Sequence, residues 1–158
     1  MALAQHKPSY HGTEPCALLL LGPNCSGLPS ALIEDTVLEP VDKVMWLVLM
    51  VRARHDDGVT FLPAHRELAR IANVTARQTV SRSLSILRCR RWLTVCHTSW
   101  RKDGQRRGSA YALNAAPLPI ADTIYLDPRY AAFIDELSDQ HQGRVQKAAT
   151  AVLGEISL

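Results

Sequence analysis

One stretch constrains what this chain can fold into more than any other. "TARQTVSRSLSILRCRRWL", residues 75–93, holds five arginines and no acidic residue, yet Val80, Leu84 and Leu87 recur at i, i+4 and i+7. With each helical residue advancing ~100°, those three side chains share a stripe ~60° wide, and Gln78, Ser81, Arg82, Ser85 and Arg88 fall around the other side. Such a helix has to bury its stripe on the rest of a domain while its other face stays polar and positive. Thr75 followed by Gln78 fits a capping box, which satisfies two orphan amides at a helix start.

The charge is unevenly divided along the chain. Residues 61–111 contain eleven Arg or Lys against Glu67 and Asp103, a net of +9, so that the formal total of +3 leaves −6 for the remainder. A split of this kind points to a face for a polyanion rather than to a generally basic surface. The length of 158 residues suffices for a proper core and one domain with extensions. The longest apolar runs, "ALLLLG" and "VMWLVLMV", fall far short of the ~20 residues that cross a bilayer. Neither reads as a membrane span, and the run near the start lacks the cleavage pattern of a signal peptide, so the expected location is cytoplasmic, at the nucleoid.

Residues 1–36 carry Pro8, Gly12, Pro15, Gly22, Pro23, Gly27 and Pro29 and read as an arm, partly disordered. Residues 37–116 form the expected central domain. Its first helix begins at Pro40 and is apolar over most of its girth through Val44, Trp46, Leu47, Val48, Met50 and Val51. A second opens at Pro63, with Leu68, Ala69 and Ile71 for burial and Asn73 suited to the left-handed residue beyond its end. The arginine-rich helix follows after a tight turn. Then "WLTVCHTSW" and "SAYALN" read as two strands around the Asp-Gly turn of "RKDGQRRG", a hairpin with Arg101, Lys102, Arg106 and Arg107 at its tip. In residues 117–158, Asp127-Pro128 marks another helix start, and "GRVQKAATAVLGEI" sets Val145, Ala149, Val152 and Ile156 on one face, for packing on the first helix or for a dimer contact.

Two short helices around a turn, followed by a basic hairpin, define the expected class: mainly α with a small β-hairpin wing, a winged helix-turn-helix with extra C-terminal helices. Arg77, Gln78, Ser81, Arg82 and Ser85 are then the candidates for base edges, because arginine pairs bidentately with guanine and glutamine with adenine. Arg88, Arg101, Lys102, Arg106 and Arg107 are the candidates for phosphates.

Leu68, Ala69, Val74, Val80, Leu84 and Leu87 follow a frame that resembles winged-helix regulators of the GntR and MarR kinds. "ILRCRRWLTVC" and "YALNAAPLPIADTIYLDP" are more distinctive. Together with "LPSALIEDTVLEPVDKVMW" they resemble the pathogenicity-island replication proteins of bacterial integrative conjugative elements, over about residues 22–155. The resemblance implies a transcriptional regulator or replication and origin-binding factor of a mobile element. From Thr75 to Leu84 there is one residue more than the tightest winged-helix pattern has, which also admits a helix start at Ala76 with a weaker cap.

Nothing in the sequence argues for catalysis. "RHDDG" reads as solvated turn residues closing a helix, the six histidines are dispersed, and no phosphate-binding loop, zinc-protease helix or nucleophile elbow is present. Cys16, Cys25, Cys89 and Cys96 lack metal-ligand spacing and read as reduced thiols, and no cofactor or metal is expected. Cys89, Cys96 and His97 form the one other constellation, where oxidation or metal binding would alter DNA contact; buried thiols are the simpler account. The expected partners are double-stranded DNA, a second copy of the chain on half-sites about 10 base pairs apart, and replication proteins. The alternative is a protein-docking adaptor without catalysis in a replication or partition complex.

Overall fold

The structure is a computed structural model that describes residues 17–21, 27–55, 59–100, 102–103, 106–140 and 143–156. It is mainly helical with a small sheet. In chain order the described elements are β1 (Ala17–Leu21), α1 (Ser30–Glu34), α2 (Pro40–His55), β2 (Val59–Phe61), α3 (His65–Ile71), α4 (Arg77–Cys89), β3 (Leu93–Trp100), β4 (Arg106–Asn114), α5 (Ile120–Leu126), α6 (Tyr130–Ser138) and α7 (Gly143–Ile156).

The sheet runs in the order β2-β1-β4-β3. Strands β3 and β4 pair antiparallel, with Leu93 opposite Leu113 and irregularities at Val95/His97 and Ser99/Trp100. Part of the N-terminal segment, read from its prolines and glycines as an arm, is woven into this sheet. Its "ALLLL" run pairs parallel to β4, Ala17 opposite Ala110, and antiparallel to β2, Ala17 opposite Phe61. Continuous apolar character is what a strand flanked on both sides by others tolerates, and Leu18 is fully buried. Residues 1–16 and 22–26, with most of the proline and glycine signals, lie outside the described residues.

Helix α2 supplies Met45, Trp46, Leu49, Met50 and Ala53 to the core. The start at Pro40 fits a proline in the first turn, where its missing N–H costs nothing. Asp42 caps that turn: its carboxylate accepts the Glu39 N–H at 2.9 Å. Trp46 meets Trp92 edge-on, ring centroids 6.1 Å apart at 79°, a geometry that places the positive ring edge of one on the negative face of the other. Both indole N–H groups are satisfied, Trp46 by Asn114 O at 3.1 Å and Trp92 by Asp35 Oδ2 at 3.1 Å.

Helices α3 and α4 end in the same way. After α3, Asn73 takes a left-handed φ of 54°, Val74 N–H returns to Ala69 O at 2.9 Å and Asn73 N–H to Arg70 O at 3.3 Å. After α4, Arg91 takes φ 62°, Trp92 N–H returns to Leu87 O at 2.9 Å and Arg91 N–H to Arg88 O at 3.0 Å. Each pair of bonds is a Schellman closure that satisfies the last carbonyls and turns the chain sharply. The first closure reverses the chain from α3 into α4. The second aims Trp92 and Leu93 into the core, where both are buried.

Several boundaries differ from the sequence reading. Helix α3 starts at His65 rather than at Pro63, and the Thr75–Gln78 capping box does not form: Ala76 is the N-cap of α4, without a side-chain cap bond. The later start keeps the arginine face but moves the first turn to Arg77–Gln78. Strand β4 opens at Arg106, so Arg106 and Arg107 belong to a strand and not to the hairpin tip. Helix α7 packs chiefly on α6 and α4 and meets the first helix, its expected packing partner, through the Arg144–Asp42 pair; it buries Val145, Ala148, Ala149 and Val152.

Candidate nucleic-acid interface

The five arginines of residues 75–93 have two different fates. Arg88, Arg90 and Arg91, toward the end of α4 and just beyond it, are matched by carboxylates far away in sequence. Arg88 donates to Asp127 Oδ2 at 2.5 Å and lies 3.8 Å from the Phe133 ring centroid. Arg90 reaches Asp35 at 3.4 Å and Glu155 at 3.3 Å, and Arg91 reaches Glu155 at 3.1 Å and Leu118 O at 2.8 Å. Arg77 and Arg82, in the first half of α4, have no ion pair among the described residues. The stretch without local acids is therefore neutralised by tertiary contact at one end and left positive at the other.

Arg88, expected as a phosphate contact, has partners within the fold. A guanidinium bonded to a buried carboxylate and stacked on an aromatic ring is committed to holding α4 against α6 and the Asp127 turn.

The stripe of α4 is buried as its period requires, Val80 and Leu87 completely, with Ile86 and Ser83 beside them and Leu84 half-buried. On the other side, Arg77 and Gln78 are exposed and Arg82 is half-buried. Ser81, Ser85 and Arg88 occupy a neighbouring row. They form one wall of a cleft of about 260 Å³ whose other walls include His65 and Phe133. Ser81 Oγ lies 3.1 Å from His65 Nδ1, tying the first turn of α3 to α4. His65 is exposed as a residue, but partial desolvation of its ring against α4 lowers its pKa, which favours the neutral ring at neutral pH. The five expected base readers thus separate into an open set, Arg77, Gln78 and Arg82, and a cleft set, Ser81 and Ser85.

At the hairpin, Lys102 is exposed within a turn with Asp103. Arg101 lies outside the described residues, as do the side chains of Arg106 and Arg107. Helix α3 adds two exposed cations. Arg66 and Arg70, one turn apart on α3, are exposed and make no ion pair among the described residues. They count among the eleven basic residues of 61–111 but not among the expected contacts, and their i, i+4 spacing on a short helix was the available signal.

The two described cysteines, Cys89 and Cys96, carry no reactive signature. Cys89 is fully buried and its thiol is pushed up to about 12, chiefly by desolvation, against the opposing pull of Arg90 and Arg91. Cys96 is half-buried, its Sγ 3.9 Å from Thr94 O, and burial raises it too. Cys16 and Cys25 lie outside the described residues. Among the described residues no three His, Cys, Asp or Glu side chains gather as a metal would need, and no helix is long and apolar enough to cross a membrane. Comparison with known protein families, with curated proteins and with solved structures returns no match.

Proposed function

We propose that this protein binds double-stranded DNA through a winged helix-turn-helix, with α3 and α4 as the helix pair and the β3–β4 hairpin as the wing. The observation that carries the reading is the selective neutralisation on α4. Three downstream arginines are paired internally, while Arg77, Gln78 and Arg82 stay displayed from the first turns of the helix. The leading turns of the second helix are the part that meets base edges in such folds, and arginine and glutamine are the side chains suited to guanine and adenine. Arg66 and Arg70 on α3 and Lys102 on the hairpin flank that face as phosphate contacts, in the positions from which a first helix and a wing fix the register of the duplex.

The resemblance of "ILRCRRWLTVC" and "YALNAAPLPIADTIYLDP" to pathogenicity-island replication proteins favours a regulator or origin-binding factor of a bacterial mobile element, acting in the cytoplasm without catalysis. A homodimer on two half-sites is the corresponding assembly.

Titration of fluorescent duplexes, one from the protein's own upstream region and one unrelated, across a salt series tests this. A linear fall of log affinity with log salt, at about −0.9 per phosphate contacted, with preference for one duplex, is the expected result. No binding at low salt would remove the reading and leave a docking adaptor.

A further inference from the structure

One titratable side chain stands against the exposed face of α4 without belonging to that helix. Helix α3 begins at His65, which is exposed, and its Nδ1 lies 3.1 Å from the Ser81 hydroxyl. With ~100° per residue, Ser81 projects between Arg77 and Gln78, one turn further along α4. His65 therefore sits at the α3 edge of the surface that Arg77 and Gln78 display. Its other ring nitrogen, Nε2, has no partner among the described residues.

Among the described residues, no carboxylate lines the cleft around this ring. On its own helix, Glu67 is paired with Arg52 of α2, and Arg66 and Arg70 are positive. On α4, Arg77 and Arg82 add two more cations beside Ser81, and Arg88 is paired with Asp127. Strand β4 brings the Tyr111 phenol, and Leu62, Leu93 and Phe133 are apolar. Partial desolvation lowers the His65 pKa, and nothing in these surroundings opposes it. A DNA phosphate supplies the missing negative charge. In a helix-turn-helix the first helix crosses the sugar–phosphate backbone while the second enters the major groove, so the α3–α4 junction lies where a strand passes. An imidazolium has an N–H on each nitrogen, and each then finds an acceptor, the Ser81 oxygen for Nδ1 and a phosphate oxygen for Nε2.

We infer that His65 contacts a DNA phosphate through Nε2 as an imidazolium, taking up one proton from solvent per protomer as the duplex binds. The contact rests on the DNA-binding reading and makes the affinity depend on pH. The sign follows from where the proton goes. The free chain holds the ring neutral at neutral pH and the complex holds it charged, so binding tightens as pH falls. The gain is at most about tenfold per pH unit per protomer, and it levels off once the free ring is protonated too.

The test titrates the full chain onto a fluorescent duplex from its own upstream region at pH 8, 7 and 6 and constant ionic strength, beside His65→Asn, which keeps a polar group toward Ser81 but does not titrate. The parent should bind about 5-fold or more tightly at pH 6 than at pH 8, and His65→Asn should lose most of that dependence. A second measurement needs no variant. The His65 ring proton, followed by NMR, should titrate below 6.5 in the free chain and above 6.5 in the complex. An affinity that does not vary with pH, a dependence that persists in His65→Asn, or an inflection that stays below 6.5 on DNA would each overturn the contact and leave the DNA reading in place. Absence of duplex binding at every pH and at low salt overturns both.

Discussion

Ser83 donates a 2.6 Å hydrogen bond to the Asp42 carboxylate, joining two fully buried polar side chains across the contact between α4 and α2. The same carboxylate caps the first turn of α2 through Glu39 N–H and receives the Arg144 guanidinium from α7. One acid thus fixes three helices against one another. Removing the acid and removing one donor should differ sharply. Asp42→Asn leaves Arg144 without its buried partner and should cost about 3 kcal/mol, whereas Ser83→Ala leaves the carboxylate two other donors and should cost about 1 to 2 kcal/mol. Urea unfolding of the two variants, compared at pH 7, checks the ordering.

Arg88 and Asp127 give a prediction that separates architecture from recognition. Asp127→Asn should destabilise the protein by about 2 to 3 kcal/mol, since Asp127 is 5% exposed and leaves a partly buried guanidinium unpaired. The salt slope of DNA binding should not change in this variant. A loss of one unit in that slope on neutralising Arg88 would assign it to phosphate after all.

Arg77→Ala and Arg82→Ala should each weaken binding to the preferred duplex by about 1 to 3 kcal/mol and relax one base position. Arg66→Ala, Arg70→Ala and Lys102→Ala should weaken preferred and unrelated duplexes equally. Competition binding with a set of single-base variants distinguishes the two patterns. Melting temperatures near that of the parent are expected throughout, because none of these side chains is buried in the core.

Cys89 should resist alkylation. With its thiol at about 12, the thiolate fraction at pH 8 is on the order of one in ten thousand, and the sulfur is fully buried. Iodoacetamide at pH 8 should modify Cys96 slowly and Cys89 only after unfolding, as mass mapping of the labelled protein will show.

His65 should make the protein acid-sensitive at its α3–α4 junction. Its pKa in the folded state is lowered from 6.5 by burial, so the unfolded chain binds the proton more readily. The contribution is fully present above about 6.5 and is lost as pH falls through that value toward the folded pKa. A titration of the His65 ring proton by NMR, with an inflection below 6.5 that moves up when Ser81→Ala opens the site, checks the direction.

The parts of this architecture that could be read from the chain are those written in local periodicity. The Val80–Leu84–Leu87 stripe, the proline start of α2, Asn73 as a left-handed residue and the whole span of α7 follow from spacing and turn chemistry within a few residues. What stayed hidden depends on distant partners. "ALLLL" becomes a strand only because β4 and β2 flank it, and no alternation announced it. Likewise, Arg88, Arg90 and Arg91 looked equivalent to Arg77 and Arg82 until Asp127, Asp35 and Glu155 arrived from other elements. The unmade capping box at Thr75 is a smaller case, in which the turn closed by Asn73 and Val74 sets where α4 begins.

The parallel pairing of β1 with β4 has a consequence for how the chain is made. Ala17 pairs with Ala110, so a growing polypeptide carries an apolar strand clear of the ribosome while the core helices α2 to α4 are still being synthesised. The sheet cannot close until Asn114 has emerged opposite Leu21. Through that interval "ALLLL" has an unmatched edge, the stage at which newly made chains attract chaperones or one another. Arrested nascent chains ending before and after β4 should differ in their sensitivity to protease near Leu18.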